Sequence, residues 1–173
     1  MRIMRAEQFN IDRQVEYGTP EQNEAVKSIV EAIRTEGDAA LLRLTEEFDR
    51  VKLDVSSLRV TEAEIQAAYD KVDADFLVAI REAAVNVRTF HEKQMRNSWI
   101  DMQPNGTMLG QVLRPLKRVG VYVPGGKAAY PSSVLMNVIP AQVAGVPEIV
   151  MVTPPATGGQ EGINPYILVA AAE

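Results

Sequence analysis

The sequence predicts an α/β protein in which a helical N-terminal region is followed by an incomplete Rossmann-like βαβ unit with parallel strands. Apolar residues recur at helical spacing through the first hundred residues, and this period changes after Asn97. A short apolar strand then breaks into a glycine-rich loop over residues 119–127, and another apolar strand follows a helix-length segment. We therefore expect a helical region over residues 1–97 and an α/β portion over residues 98–173.

The first two helices are marked by their end signals. Thr19, Pro20 and Glu21 supply an N-cap, a first-turn proline and an acid that the helix dipole favours. Gly37 is expected to end the first helix, and Asp38 to cap the second.

Two more helices are expected before the period changes. Thr61 and Glu64 have the spacing of a capping box for the third helix. The fourth is predicted over residues 73–95, with one apolar face turned inward. The residues expected on that inward face are Phe76, Leu77, Ile80, Ala84, Val87 and Phe90.

The α/β portion begins with a predicted hairpin. Residues 99–103 and 107–113 are candidate strands joined by the turn signal Pro-Asn-Gly at residues 104–106. A strand over residues 119–123, a buried helix over 133–144, a strand over 148–153 and a helix over 163–173 are expected to follow. Pro140 should either kink the buried helix or mark its end.

The predicted crossover makes its two strands parallel. The loops over residues 124–132 and 153–162 therefore leave the same edge of the sheet. Ligands of open α/β sheets bind outside that edge, so we expect any ligand site of this portion there.

The Gly-Gly-Lys sequence at residues 125–127 invites comparison with a phosphate-binding loop. Gly120 lies one residue too far upstream for the Walker spacing, and Ala128 replaces the required hydroxyl residue. The three spaced glycines of the dinucleotide fingerprint are absent too. A plain tight turn and a ligand loop of another kind both stay open. The neighbouring residues that favour a ligand loop are Tyr122, Lys127, Ser132 and Ser133.

Individual residues of this region each have two interpretations. Strand alternation places Tyr122 opposite its valine neighbours, where its ring can stack on a flat heterocycle or serve as a core tyrosine. Lys127 can meet a phosphate or be a solvated loop lysine. His91, the only histidine, is better explained by a structural role than as a ligand.

Composition limits the classes of partner. A net charge of −5 and a pI near 5.0 argue against nucleic acid and anionic membranes as partners. The absence of cysteine excludes a thiolate zinc site, and the single histidine argues against a catalytic metal site unless carboxylates or another polypeptide supply the other ligands. No apolar run is long enough to span a bilayer and no secretory signal is evident, so we expect a soluble, cytoplasmic protein.

The last helix pattern also lacks a stop signal, which predicts a fragment of a longer chain.

A long stretch resembles one enzyme family. Residues 118–146 read Arg-Val-Gly-Val-Tyr-Val-Pro-Gly-Gly-Lys-Ala-Ala-Tyr-Pro-Ser-Ser-Val-Leu-Met-Asn-Val-Ile-Pro-Ala-Gln-Val-Ala-Gly-Val, and Thr-Pro-Pro follows at residues 153–155. Together with Phe90, His91 and Gln94 upstream, this stretch is similar to histidinol dehydrogenase. The resemblance covers the chain, and the chain covers about the first two-fifths of such an enzyme.

The resemblance implies a function for the intact enzyme. The family oxidises L-histidinol through histidinal to L-histidine in the last steps of histidine biosynthesis, using NAD and zinc, and forms homodimers. The family's NAD-contacting tyrosine corresponds to Tyr122, with Pro124 and Gly125 in the adjoining loop, which makes residues 98–173 a cofactor-binding portion. Its zinc ligands and catalytic residues would lie downstream of Glu173, so no catalytic or metal-binding residue is assigned here. Alone, the chain should be inactive.

Two alternatives to an oxidoreductase fragment remain. The glycine-rich loop also suits a free-standing nucleotide-binding module. The N-terminal helices would equally suit an assembly module that exchanges helices between subunits.

Overall fold

The computed structural model describes residues 18–125, 129–156 and 162–173. The chain divides into two compact units, Met1–Arg43 and Leu44–Glu173. The helices are α1 (Pro20–Glu36), α2 (Asp38–Asp49), α3 (Glu62–Tyr69), α4 (Ala74–Glu92), α5 (Pro131–Val143) and α6 (Pro165–Ala172). The strands are β1 (Trp99–Met102), β2 (Met108–Gln111), β3 (Arg118–Tyr122) and β4 (Glu148–Val152). A 3-10 helix at Val55–Ser57, capped by Asp54, was not expected.

The end signals of α1 act as the sequence predicts. The Thr19 hydroxyl accepts a hydrogen bond from the Gln22 amide at 3.3 Å, and the Gln22 side chain accepts from the Thr19 amide at 2.9 Å. Gly37 ends α1 with φ of 60°. Asp38, however, does not cap α2: it is the first helical residue, because the Gly37 carbonyl already accepts the hydrogen bond from the Leu41 amide.

The capping box of α3 is confirmed. The Thr61 amide donates to the Glu64 carboxylate at 2.7 Å, and the Glu64 amide donates to the Thr61 hydroxyl at 3.2 Å. The hydrogen bonds from the Thr61 amide and hydroxyl hold the pKa of Glu64 below its ordinary value.

Helix α4 buries the predicted face except at its end. It ends at Glu92 rather than at residue 95, and Phe90 is 61% exposed, so the prediction that Phe90 faces inward was wrong. The buried stripe runs through Ile80, Ala84 and Val87 toward the partly buried His91, because the helical period is 3.6 residues. Phe90 lies on the flank of that stripe.

The predicted hairpin forms between β1 and β2. Trp99 pairs with Gln111 and Met102 with Met108 in antiparallel register, and Gly106 takes a positive φ of 86° in the turn. The residues of both strands are exposed.

The βαβ unit is formed by β3, α5 and β4. The two strands are parallel, with Arg118 opposite Glu148 and Tyr122 opposite Val152, and α5 packs against both. Pro140 does not end α5, which continues to Val143. The architecture is therefore the mixed helix and parallel-strand arrangement that the sequence predicts.

The core of the second unit is built by helices packed against this sheet. Helix α5 contacts α4 and α6, and α6 also contacts α3. The fully buried side chains at its centre are Val123, Val134, Ile167 and Val169. Within the described ranges, no helix is long and apolar enough to cross a membrane. A domain boundary between residues 97 and 98 stays a prediction.

Candidate functional site

The carboxyl ends of β3 and β4 lie side by side. The Val123 amide donates to the Val152 carbonyl at 2.9 Å, which extends the parallel pairing beyond Tyr122. The segments Val123–Gly125 and Thr153–Ala156 therefore leave the same sheet edge. This is the edge at which the crossover topology predicts a ligand site.

Tyr122 projects from the open face of the sheet. Val119 and Val121 are partly buried beside α5, whereas Tyr122 on the opposite face is 62% exposed. Its hydroxyl makes no side-chain hydrogen bond to another described residue. Within this chain Tyr122 therefore lies outside the core, and its ring is available for stacking on a planar ligand.

The surface beside the Tyr122 ring is apolar and consists of small residues. Gly120, Val150 and Val152 share its face, and both valines are exposed. A Cβ added to Gly120 would meet no atom within 4 Å. A flat heterocycle can therefore approach the sheet next to the ring.

Pro124 and Gly125 form the described start of the glycine-rich loop. Pro124 is exposed, whereas Gly125 is buried. A Cβ on Gly125 would lie 2.6 Å from the Thr153 Oγ1 and 3.0 Å from the Ile167 Cδ1. Only glycine allows the loop after β3 to pass this close to the loop after β4 and to α6.

Thr153 was missed by the sequence analysis. Its Oγ1 is buried and has no hydrogen-bond partner in the parts of the chain that the structure describes. A buried hydroxyl without a partner costs about 1–3 kcal/mol. The available signal was its place directly after a predicted strand at the ligand edge.

The other candidate residues of the loop were Lys127, Ser132 and Ser133. Lys127 lies outside the described residues. Ser132 and Ser133 belong to the first turn of α5 and do not cap it, since the N-cap residue Tyr130 makes no side-chain hydrogen bond. The Ser133 amide instead donates to the Tyr130 carbonyl at 2.9 Å.

His91 is satisfied locally at the end of α4. Its Nδ1 lies 2.7 Å from the Gln94 Oε1, and its ring meets the edge of Phe90 at a centroid distance of 5.3 Å. The His91 and Gln94 pair thus forms a local contact, as a structural role predicts.

The described part of the sheet edge offers binding groups but no Asp, Glu or His side chain. Its described loop residues, 123–125, 129–130, 153–156 and 162–164, include no Asp, Glu or His. An open depression of about 330 Å³ lies on the same two strands, lined by Arg118, Val119, Gly120 and Val150. Its Arg118 is paired with Glu148 at 3.0 Å. The described edge can hold and orient a ligand but supplies no proton-transfer group of these types.

Comparisons with known proteins identify the family. A family model described as histidinol dehydrogenase matches residues 13–173. Histidinol dehydrogenase from Heliobacterium mobile is 55% identical over 148 residues, which cover 86% of this chain and 34% of that protein. The Bacillus subtilis enzyme is 49% identical over 172 residues, covering 99% of this chain and 39% of that protein.

A solved structure agrees with these matches. Histidinol dehydrogenase from Elizabethkingia anophelis superimposes with a TM-score of 0.80 and 39% identity, covering 92% of this chain and 36% of that one. The chain thus spans between a third and two-fifths of the length of these relatives. Because the family model matches most of its residues, this chain belongs to the histidinol dehydrogenase family, whose members are oxidoreductases of histidine biosynthesis.

Proposed function

We propose that this chain forms one wall of the NAD site of a zinc-dependent histidinol dehydrogenase that oxidises L-histidinol through histidinal to L-histidine. The enzyme would work in the cytoplasm as a homodimer. The observation that supports this proposal most directly is the exposed Tyr122 ring beside the Gly125 loop, at the carboxyl edge of the parallel strands.

The described residues suit a dinucleotide. The Tyr122 ring offers a stacking surface, and Gly125 brings backbone close to the edge without a side chain. Beside Gly125, the Thr153 hydroxyl has no partner among the described residues. When bound, NAD supplies the hydride acceptor. The role of Tyr122, Pro124 and Gly125 is to bind and orient the dinucleotide and to exclude water from that side.

Zinc is a different case. Among the residues that the structure describes, no group of three or more His, Asp or Glu side chains could hold a metal ion. These residues therefore do not fit a zinc site. We assign the zinc ligands and the proton-transfer groups to the remaining length of the longer polypeptides that this chain resembles.

A chimera tests the proposed function. This chain would replace the aligned part of the Bacillus subtilis enzyme, to which it is 49% identical over 172 residues. We expect the purified chimera to reduce NAD when L-histidinol is added and to lose this activity after zinc is chelated. A folded chimera that binds zinc but neither binds NAD nor oxidises L-histidinol would contradict the proposal.

A second candidate function is an assembly module, which the hairpin favours. Ile100 and Met102 on β1 are each 69% exposed, and Met108 on β2 is 64% exposed. Exposed apolar strands on an unpaired edge invite association. Sedimentation of the isolated chain distinguishes the two functions: a defined oligomer without NAD affinity would favour assembly, and a monomer would exclude independent assembly.

A further inference from the structure

The Thr153 hydroxyl is an anomaly at the edge of the candidate site. Its oxygen is buried without a partner among the described residues, although nearly all buried polar atoms of working proteins are hydrogen-bonded. The other side-chain atom close to Gly125 is apolar: the Ile167 Cδ1 would lie 3.0 Å from a Cβ at that position. A valine would fill the same volume without leaving a hydroxyl unpaired.

The surroundings of this oxygen connect it to the proposed NAD wall. A Cβ on Gly125 would lie 2.6 Å from the Thr153 Oγ1 and 3.7 Å from the Pro154 carbonyl oxygen. The hydroxyl is therefore packed directly against the backbone of the loop that follows Tyr122. The Gly125 backbone carries a hydrogen-bond donor and an acceptor, either of which can serve as a partner for the hydroxyl if the loop shifts.

We propose that Thr153 is a positioning residue of the nucleotide site, whose hydroxyl gains its hydrogen-bond partner when a dinucleotide binds and fixes the Pro124–Gly125 backbone against the ligand. This inference rests on the proposed function. Without ligand the hydroxyl is buried and has no partner among the residues that the structure describes, and in the bound protein it is satisfied. Part of the affinity for the dinucleotide thus comes from a residue that the ligand does not touch.

This role predicts effects of opposite sign on the two states. In the chimera with the Bacillus subtilis enzyme, Thr153→Val removes the hydroxyl and keeps the side-chain shape. The ligand-free melting temperature should rise or stay unchanged, because an unpaired buried group is lost. The Kd and KM for NAD should rise about three- to tenfold, with kcat within about twofold, because only the bound state loses a hydrogen bond. Thr153→Ser, which keeps a hydroxyl, should restore most of the affinity.

Thr107→Val is the matched control, since Thr107 is an exposed residue of the hairpin turn. It should change neither affinity nor melting temperature. A Thr153→Val chimera that binds NAD as tightly as the unmodified chimera would overturn the positioning role and leave the proposed function intact. A lower ligand-free melting temperature that Thr153→Ser does not restore would also overturn it, as that result indicates a merely structural role. An unmodified chimera that does not bind NAD would overturn both.

Discussion

Gly125 sets how closely the two loops at the sheet edge can approach. A methyl group there would lie 2.6 Å from the Thr153 Oγ1 and 3.0 Å from the Ile167 Cδ1, distances at which side chain or backbone must shift. At Gly120, within β3 and on the open face of the sheet, a methyl group would meet nothing within 4 Å. These two glycines therefore form a matched pair.

We predict that Gly125→Ala lowers the free energy of unfolding by about 1–3 kcal/mol, the usual cost of forcing extra volume into a packed site. Gly120→Ala should stay within about 0.5 kcal/mol of the unmodified protein, as exposed substitutions do. Urea unfolding of both variants measures the difference. Equal effects of the two substitutions would show that the Gly125 contact is not close-packed.

The sequence alone predicts the environment of some of these residues better than that of others. The exposure of Tyr122 follows from strand alternation, because a period of two turns it away from the valines that α5 covers. The importance of Thr153 does not follow from any local pattern. Its Oγ1 lies beside Gly125, which is 28 positions away in the sequence and belongs to another loop.

Among the elements, helices α3, α4 and α6 meet at the Glu173 carboxylate. It accepts hydrogen bonds from the Arg81 Nε at 2.7 Å and Nη2 at 2.6 Å, and from the Tyr69 hydroxyl at 3.1 Å. The Glu173 side chain is 14% exposed, whereas that of Arg81 is 59% exposed. The hydrogen bonds from Arg81, the largest cause, hold the pKa of Glu173 below its ordinary value of 4.5.

This contact predicts a pH-dependent stability. A carboxyl group whose pKa is lower in the folded state stabilises the fold above its unfolded pKa, and this contribution is lost as the pH falls through the folded pKa. Glu173→Gln should therefore lower the melting temperature at pH 7, and the difference from the unmodified protein should shrink below pH 4.5. Added salt should weaken the effect, because Arg81 is exposed.

Glu82→Gln is the control for this measurement. Glu82 follows Arg81 on α4, and its side chain makes no hydrogen bond to another described residue. Its effect on the melting temperature should not show the same dependence on pH. If Glu173→Gln is neutral at pH 7, the contact does not hold the three helices together.

Helix caps provide a second prediction for the elements. Asp73 accepts a hydrogen bond from the Phe76 amide at 2.6 Å at the start of α4 and another from the Tyr166 hydroxyl at 3.3 Å. Asp73→Ala should lower the free energy of unfolding by about 1 kcal/mol, the usual loss for an N-cap. Asp75→Ala, which removes only an acid of the first turn, should cost about 0.3–1 kcal/mol. Thermal unfolding of both variants compares them, and a larger loss from Asp75→Ala would contradict the cap assignment.

The sequence predicts the end of a helix well where a local capping pattern sets it. It predicts the end less well where neighbouring helices share a residue or where packing sets the boundary. The capping box of Thr61 and Glu64 needs only local hydrogen bonds, so its spacing suffices. The start of α2 was misplaced because Gly37 serves both as the end of α1 and as the residue before α2. The inward face of α4 was right until its last turn, where Phe90 leaves the stripe.

For the molecule as a whole, the open sheet face is the feature with the widest consequence. A two-stranded parallel sheet is marginal without further cover, and here the face that carries Tyr122 and Val152 is exposed. Only one wall of the proposed NAD site lies in this chain. We therefore expect the isolated chain to bind NAD at least about tenfold more weakly than the chimera, because an incomplete site loses at least about 1.4 kcal/mol of binding free energy. We also expect the isolated chain to oxidise no L-histidinol. Titration calorimetry of both proteins measures this difference, and equal affinities would support a free-standing nucleotide-binding module instead.

The proposed contribution of this chain to an NAD site is tested most directly by NAD titration of the chimera with Tyr122→Ala. Phe90→Ala is the matched control, because Phe90 is a similarly exposed aromatic residue, 61% against 62%, on α4 rather than on β3. Loss of a stacking surface should weaken NAD binding by about tenfold, or about 1.4 kcal/mol, for Tyr122→Ala, and leave it unchanged for Phe90→Ala. Unchanged affinity in a folded Tyr122→Ala chimera would contradict the assignment of this sheet edge to the cofactor.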